Sequence, residues 1–264
     1  MLTCDFEEFN LPIDFGKTIS EKLMLSKSCE GIERFIDVIK KYPVKISFFV
    51  TPKMSEVSIE LLRKLVKEGH EIGFHGSINQ INSDNVTRVI NDLRYLKEEM
   101  EKKIKIKIYG FRNHKLIILP AYVIKEAGFV YDNTCHPTYV PTRYFNLFRS
   151  RNMRYIEGII NIPTSVSPIL RLPFSWIWFR NLGLNYVKLC TRAVFLTQDY
   201  VNIYLHSWDF AYFNDNSISN LPYLIKRNTG IKMSKLFEDY LIWCLGKKIN
   251  VHTIYYYLCQ KYFL

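Results

Sequence analysis

Residues 44–75 read VKISFFVTPKMSEVSIELLRKLVKEGHEIGFH, and the fold class follows from how this stretch is parsed. Val44 to Val50 is an apolar, aromatic-rich run without strict alternation, the pattern of a strand buried on both faces, and Thr51-Pro52 closes it. Val57 to Glu68 carries helical spacing and stops at Gly69. His70 to Phe74 is then the next strand. A buried strand, a helix and a second buried strand in succession require a crossover that lays the two strands parallel.

The same alternation extends in both directions. Upstream, Leu2 to Asp5 reads as a first strand, and Gly31 to Lys41 places Ile32, Phe35, Ile36, Val38 and Ile39 on a helix ended by Pro43. Downstream, residues 83–103 form a charged helix. Ser83 or Asp84 is its expected cap, and Val86, Val89, Ile90, Leu93, Leu96 and Met100 form its apolar face. Ile106 to Phe111 is a strand, Pro120 to Ala127 a helix stopped by Gly128, and Phe129 to Tyr131 a further strand. Between Thr134 and Pro173 the period fails, and prolines at 137, 141, 163, 168 and 173 mark loops and short edge strands. Helical spacing returns at 182–196, a strand at Tyr200 to Leu205, and helix from Met233 to Phe263 around Gly246. Repeated βα units over 264 residues predict a parallel sheet or barrel, in one domain spanning 1–264.

The formal net charge is +11, which favours anionic partners, although lysine-rich helix faces such as Lys97 to Lys107 account for much of the excess. No nucleic-acid recognition motif accompanies the charge, so no nucleic-acid partner is expected. Six cysteines, at 4, 29, 135, 190, 244 and 259, include no Cys-x-x-Cys pair. That spacing suggests reduced thiols in a cytoplasmic protein. The opening Met-Leu-Thr-Cys-Asp5 lacks a basic region followed by an apolar run, and no segment reaches membrane-spanning length.

Ionisable residues collect at the predicted strand ends. Asp5 and Glu7 share one face of an extended segment while Glu8 points the other way. A cation beside such a pair keeps carboxylates ionised and acidifies water, leaving one free as a general base. His75, at the end of its strand, is a candidate nitrogen ligand, and Asn79 shares its face if the loop coils. His70 reads as a structural histidine after the helix stop. Arg112, closing Gly110-Phe-Arg112, can hold Asp5 by a two-pronged hydrogen bond, and His114 is a substrate contact or a second ligand. His206 in Leu205-His206-Ser-Trp208 is placed to protonate a leaving nitrogen, and Trp208 to wall the pocket and stack on a sugar.

This constellation resembles the polysaccharide deacetylase family, also called NodB-homology proteins or family-four carbohydrate esterases. Leu2-Thr-Cys-Asp-Phe-Glu-Glu8, Ser47-Phe-Phe-Val50, Gly69-His-Glu-Ile-Gly-Phe-His75, Gly110-Phe-Arg112, Glu126-Ala-Gly-Phe-Val-Tyr-Asp132 and Leu205-His-Ser-Trp208 carry the resemblance. It implies a distorted (β/α) barrel of about seven parallel strands with its site at the strand carboxyl ends. It also implies metal-dependent removal of an N-acetyl group from an amino sugar of a polysaccharide, glycolipid or nucleotide-sugar. Carried over, Asp5 is the base, Glu7 and His75 are metal ligands, Arg112 steadies Asp5, and His206 is the acid. The family's His-x-x-x-His is His75-Gly-Ser-Ile-Asn79 here, so the third ligand expected is Asn79, with zinc as the first candidate for a divalent ion. Arg112 is followed by Asn113-His114 where the family usually has proline.

Two other classes remain open at this stage. One is a non-catalytic carbohydrate-binding protein on the same fold, and the other a hydrolase of a non-sugar amide. Residues 170–180, with two tryptophans, two phenylalanines and flanking arginines, suggest in addition a peripheral contact at the inner membrane face.

Overall fold

The computed structural model describes residues 1–77, 85–141, 143–213, 218 and 221–262. Its strands are β1 (Leu2–Phe6), β2 (Ser47–Val50), β3 (Glu71–His75), β4 (Gly110–Arg112), β5 (Tyr131–Asp132), β6 (Tyr139–Val140), β7 (Tyr144–Phe145), β8 (Arg154–Ile156), β9 (Ile159–Asn161) and β10 (Ile203–His206). Its α-helices are α1 (Leu11–Asp14), α2 (Glu21–Ile39), α3 (Pro52–Val57), α4 (Ile59–Lys67), α5 (Val86–Ile104), α6 (Ala121–Glu126), α7 (Trp176–Phe195), α8 (Tyr223–Lys226), α9 (Ile231–Gly246) and α10 (Ile254–Tyr262). Single 3₁₀ turns follow β4, at His114–Leu116, and β10, at Ser207–Phe210.

One sheet in the order β10-β1-β2-β3-β4-β5-β9-β8 organises the molecule. Every pairing from β10 to β9 is parallel, and β8 alone runs antiparallel, against β9. The curled sheet is therefore the parallel arrangement that the βα alternation predicts, and the distorted barrel of seven parallel strands that the family resemblance implies, with one reversed strand at its edge. The helical face is lined by Ile32, Phe35 and Ile39 of α2, Leu62 and Leu65 of α4, and Leu93 and Met100 of α5. All are buried against the outward side chains of β1 to β4.

Local chemistry sets the element ends. Ser20 Oγ accepts from Leu23 N at 3.3 Å and starts α2, while Thr51 Oγ1 accepts from Met54 N at 3.3 Å and starts α3 with Pro52 in its first turn. The segment 57–68 is interrupted at Ser58, which ends α3 and precedes α4. Asn85, whose Oδ1 accepts from Arg88 N at 3.1 Å, caps α5; the expected caps Ser83 and Asp84 lie outside the described residues. The C-terminal helical stretch divides at 247–253 into α9 and α10.

The barrel interior is filled beneath the site by aromatic rings. Phe49 and Tyr131 meet edge-on at 6.4 Å between centroids. Tyr131 fits because Gly110 faces it: a Cβ there would lie 2.2 Å from the phenol ring. Tyr131 Oη donates to Glu71 Oε1 at 2.6 Å, and Glu71 Oε2 accepts from Ser47 Oγ at 2.6 Å and from Tyr255 N at 3.1 Å. This half-buried carboxylate ties β2, β3 and β5 to the start of α10. His70 is the satisfied structural histidine expected, with Nδ1 accepting from Ile46 N at 3.0 Å.

A second close approach fixes the turn after β10. α2 lies so near it that a Cβ on Gly31 would sit 2.0 Å from the Ser207 carbonyl oxygen. Only hydrogen fits between the two backbones.

Candidate metal and proton-transfer site

Parallel register brings the ionisable strand ends to one rim. Asp5 on β1 lies beside His206 on β10, and His75 on β3 lies beside Arg112 on β4. Glu7 follows β1 directly, and His114 opens the turn after β4. All six are buried. His75 Nε2 lies 3.7 Å from both Asp5 Oδ2 and Glu7 Oε2. His206 Nε2 lies 3.9 Å from Asp5 Oδ2 and 3.7 Å from Glu7 Oε1, and His114 Nδ1 lies 3.3 Å from Glu7 Oε2.

Arg112 is fully buried, and its guanidinium is used on every side. Nη1 donates to Asp5 Oδ1, Nη2 to Thr3 Oγ1 at 2.8 Å and to Asn133 Oδ1, and Nε to the Asn133 carbonyl at 3.4 Å. Its plane rests on the Phe49 ring at 4.2 Å. Burial pushes the Asp5 carboxyl up, but Arg112, with His75 behind it, outweighs that and holds Asp5 well below the usual carboxylate range. For Glu7, burial is likewise outweighed, here by His75, His114 and His206, and its pKa is lowered to about 2. For His75, burial works against the charged form, yet Glu7 and Asp5 raise its pKa.

Hydrogen bonds fix which nitrogens face inward. His75 Nδ1 lies 2.7 Å from the Gly76 carbonyl, so it carries the proton that donates there and leaves the Nε2 lone pair toward the carboxylates. His114 is set by Asn113, whose Oδ1 accepts from His114 N at 3.0 Å while its Nδ2 donates to the Ile117 carbonyl at 2.7 Å. Lys115 and Leu116, the next two residues, hold positive φ angles of 51° and 57°, a strained turn beside the site. Among the described residues, Glu7, His75 and His114 form a set whose ligand atoms all lie within 4.8 Å of one another. Asn79, the third ligand expected from the sequence, lies outside the described residues. Glu8 faces away and accepts from Thr51 Oγ1 at 2.8 Å.

His206 is held from behind by aromatic rings and an ion pair. Trp208 stacks on its imidazole at 4.3 Å, and Trp176 meets it edge-on at 5.1 Å. Asp209 Oδ2 accepts from His206 N at 3.0 Å and lies 3.5 Å from Nδ1, and Asp209 Oδ1 lies 3.2 Å from Arg180 Nε. Asp209 and Arg180 are both fully buried. Asp209 and Asn133 were not singled out from sequence, and Trp176 and Arg180 only as members of the aromatic run 170–180. Asp209 had a visible signal, a carboxylate three residues past the histidine. The others come from segments without a recognisable period.

The hollow that these residues enclose has a volume of about 40 Å³, room for an ion and a water but not for a sugar ring. Its mouth is lined by Asp14, Lys115, Arg143, Tyr144 and Trp176. A larger apolar cavity, about 400 Å³, opens at the opposite end of the barrel near Met1, Tyr240 and His252, away from these groups.

A curled parallel sheet with carboxylates and imidazoles at its carboxyl rim is the arrangement that the sequence resemblance to the family-four carbohydrate esterases implies. The comparisons agree. Residues 27–120 match the polysaccharide deacetylase family. The matched stretch holds β2, β3 and β4, with His75 and Arg112 at their ends. An uncharacterized protein of Bacillus subtilis (strain 168), YlxY, is 31% identical over 80 residues, which are 30% of this chain and 25% of that protein. The match thus spans a quarter of its curated relative. In fold, the chain is similar to a protein assigned as a polysaccharide deacetylase from Mycobacterium smegmatis, with TM-score 0.59 and 15% identity over 95% of this chain and 84% of that one. It is also similar to a CE4 family pseudoenzyme from Bacillus anthracis, with TM-score 0.52 and 12% identity over 96% of this chain and 62% of that one.

Proposed function

We propose that this chain is a metal-dependent amide hydrolase that removes the acetyl group from an N-acetylated amino sugar. The observation that carries the proposal is the meeting of Asp5, Glu7, His75, His114 and His206 in one buried hollow just large enough for an ion and a water.

Glu7, His75 and His114 would hold the ion. One carboxylate oxygen and two imidazole nitrogens are the donor types of a three-ligand zinc site with an open position. A cation bound there would supply charge stabilisation for a carbonyl oxygen and acidify water. Asp5 is kept ionised by Arg112 and is therefore the group able to take a proton at Oδ2, the oxygen facing His75 and His206. His206 Nε2, on the same side, is placed to give a proton to the departing amine, and Asp209 and Arg180 hold its ring. The sugar binds at the mouth beside Trp176, whereas Trp208 is buried behind His206 and walls the hollow through that ring, and both indole Nε1 groups are buried without a protein partner among the described residues.

The test joins elemental analysis with acetate release from N-acetylglucosamine oligomers. One bound divalent ion per chain is expected, with activity lost to a chelator and restored by zinc. Asp5→Asn and His206→Ala should each lower the rate by roughly 10²- to 10⁴-fold while the protein stays folded. A chain that binds no ion at saturating zinc, yet binds the oligomers, would instead be a carbohydrate binder.

A further inference from the structure

From Pro173 onward the aromatic run 170–180 turns inward. Phe174, Trp176 and Phe179 are buried, and Arg180 is committed to Asp209. The segment before it does the opposite. Ile169 is 90% exposed, Leu170 71% and Phe148 89%, with Phe145, Tyr139 and Leu172 also on the surface. These residues share one face, because the loop that carries Ile169 and Leu170 is bonded to the β6–β7 region. Thr138 Oγ1 donates to the Arg171 carbonyl at 2.6 Å, and Arg171 Nη1 donates to the Arg149 carbonyl at 2.6 Å. The rings are already ordered, with Tyr139 against Phe145 at 5.6 Å and Phe145 against Phe148 at 5.7 Å.

The charge around this apolar face is one-sided. Residues 139–172 contain five arginines, at 143, 149, 151, 154 and 171, and one carboxylate, Glu157. Arg149 and Arg154 are exposed and flank a cleft of about 370 Å³, with no carboxylate paired to either among the described residues. The face also adjoins the site, because Arg143 and Tyr144, on the inner side of β6–β7, line the mouth of the hollow, and Arg143 lies over Trp176 at 5.0 Å.

We propose that this face docks on an anionic phospholipid bilayer, with Phe148, Ile169 and Leu170 entering the interface and Arg149 and Arg154 meeting lipid phosphates. Aromatic and aliphatic tips ringed by guanidinium groups match that interface in both polarity and charge. The mouth then opens at the membrane surface, so the N-acetyl sugar is one carried there. That last step rests on the hydrolase reading, whereas the docking does not.

Flotation of the full chain with vesicles tests it, using phosphatidylcholine alone and phosphatidylcholine mixed with phosphatidylglycerol. Binding to the mixed vesicles that falls with salt is expected. Arg149→Gln and Arg154→Gln should each weaken it about fivefold, and Phe148→Ala with Leu170→Ala by roughly tenfold or more. The substituted side chains are exposed, so folding is spared. Asp5→Asn should float like the parent, which separates docking from catalysis. Flotation unaffected by these variants, indifference to phosphatidylglycerol, or a solution dimer that Phe148→Ala dissociates would overturn the proposal.

Discussion

Replacing Arg112 with methionine leaves Asp5 buried with its strongest partner gone. Four hydrogen bonds, to Asp5, Thr3 and both oxygens of Asn133, disappear with the guanidinium. Breaking a buried pair from one side costs about 3–5 kcal/mol, which for a chain of this size lowers the melting temperature by roughly 10 °C. The pH dependence gives a second, independent signature. In the parent, Asp5 has a depressed pKa, so it contributes stability that is present above its ordinary value of 3.8 and lost as pH falls below it. Without Arg112, burial dominates and the shift reverses, so the variant should lose stability as pH rises from about 4 toward 7. Thermal melts of Arg112→Met, Asp5→Asn and the double variant at pH 4.5 and 7 check both. A coupling between the two sites below about 0.5 kcal/mol, or a deficit that does not grow with pH, would refute the reasoning.

Other outcomes follow from the surroundings. Asp209→Asn removes the charge between His206 and Arg180, so acetate release should fall about 10²-fold with a displaced pH–rate profile. An unchanged profile would show that Asp209 does not position His206. Gly31→Ala drives a methyl into the Ser207 carbonyl, next to His206, so urea denaturation should show a loss of about 1–3 kcal/mol together with reduced activity. His136 is fully buried, and burial, helped by Arg112, lowers its pKa from 6.5 to about 3. The unfolded chain therefore takes up the proton first, and stability present above pH 6.5 should fall by about 2–3 kcal/mol on going to pH 4.5, a loss that His136→Gln should blunt in urea midpoints.

The fold was legible where buried strands and amphipathic helices alternate, because Val44 to His75 permits one arrangement of its apolar residues. The rim was legible too, since parallel register turns Asp5, His75, Arg112 and His206 to one end whatever the loops do. His114 was harder to place. Its contact with Glu7 depends on an Asn113-locked turn with two left-handed residues, and no hydrophobic period encodes that turn. The sequence offers His114 as a substrate contact or a second ligand and gives the third ligand position to Asn79, which lies outside the described residues. Asn133 acts from the loop after β5, and Trp176 and Arg180 from the first turns of α7, ahead of the helical spacing read at 182–196, so tertiary packing decides their direction.

Among the described residues the ring of strands is not closed. β10 and β8 are its two ends, and Ser165 and Ser175 hydroxyls, not another ladder, bond the free edge of β10 at Asn202 N and Tyr204 N. One flank of the hollow is therefore a curtain of aperiodic chain hung on hydroxyl hooks. Insertions or deletions there can reshape what enters from the side without shifting any strand by a residue. Divergence of substrate choice among relatives of this chain should concentrate in that curtain while the rim beside it stays fixed.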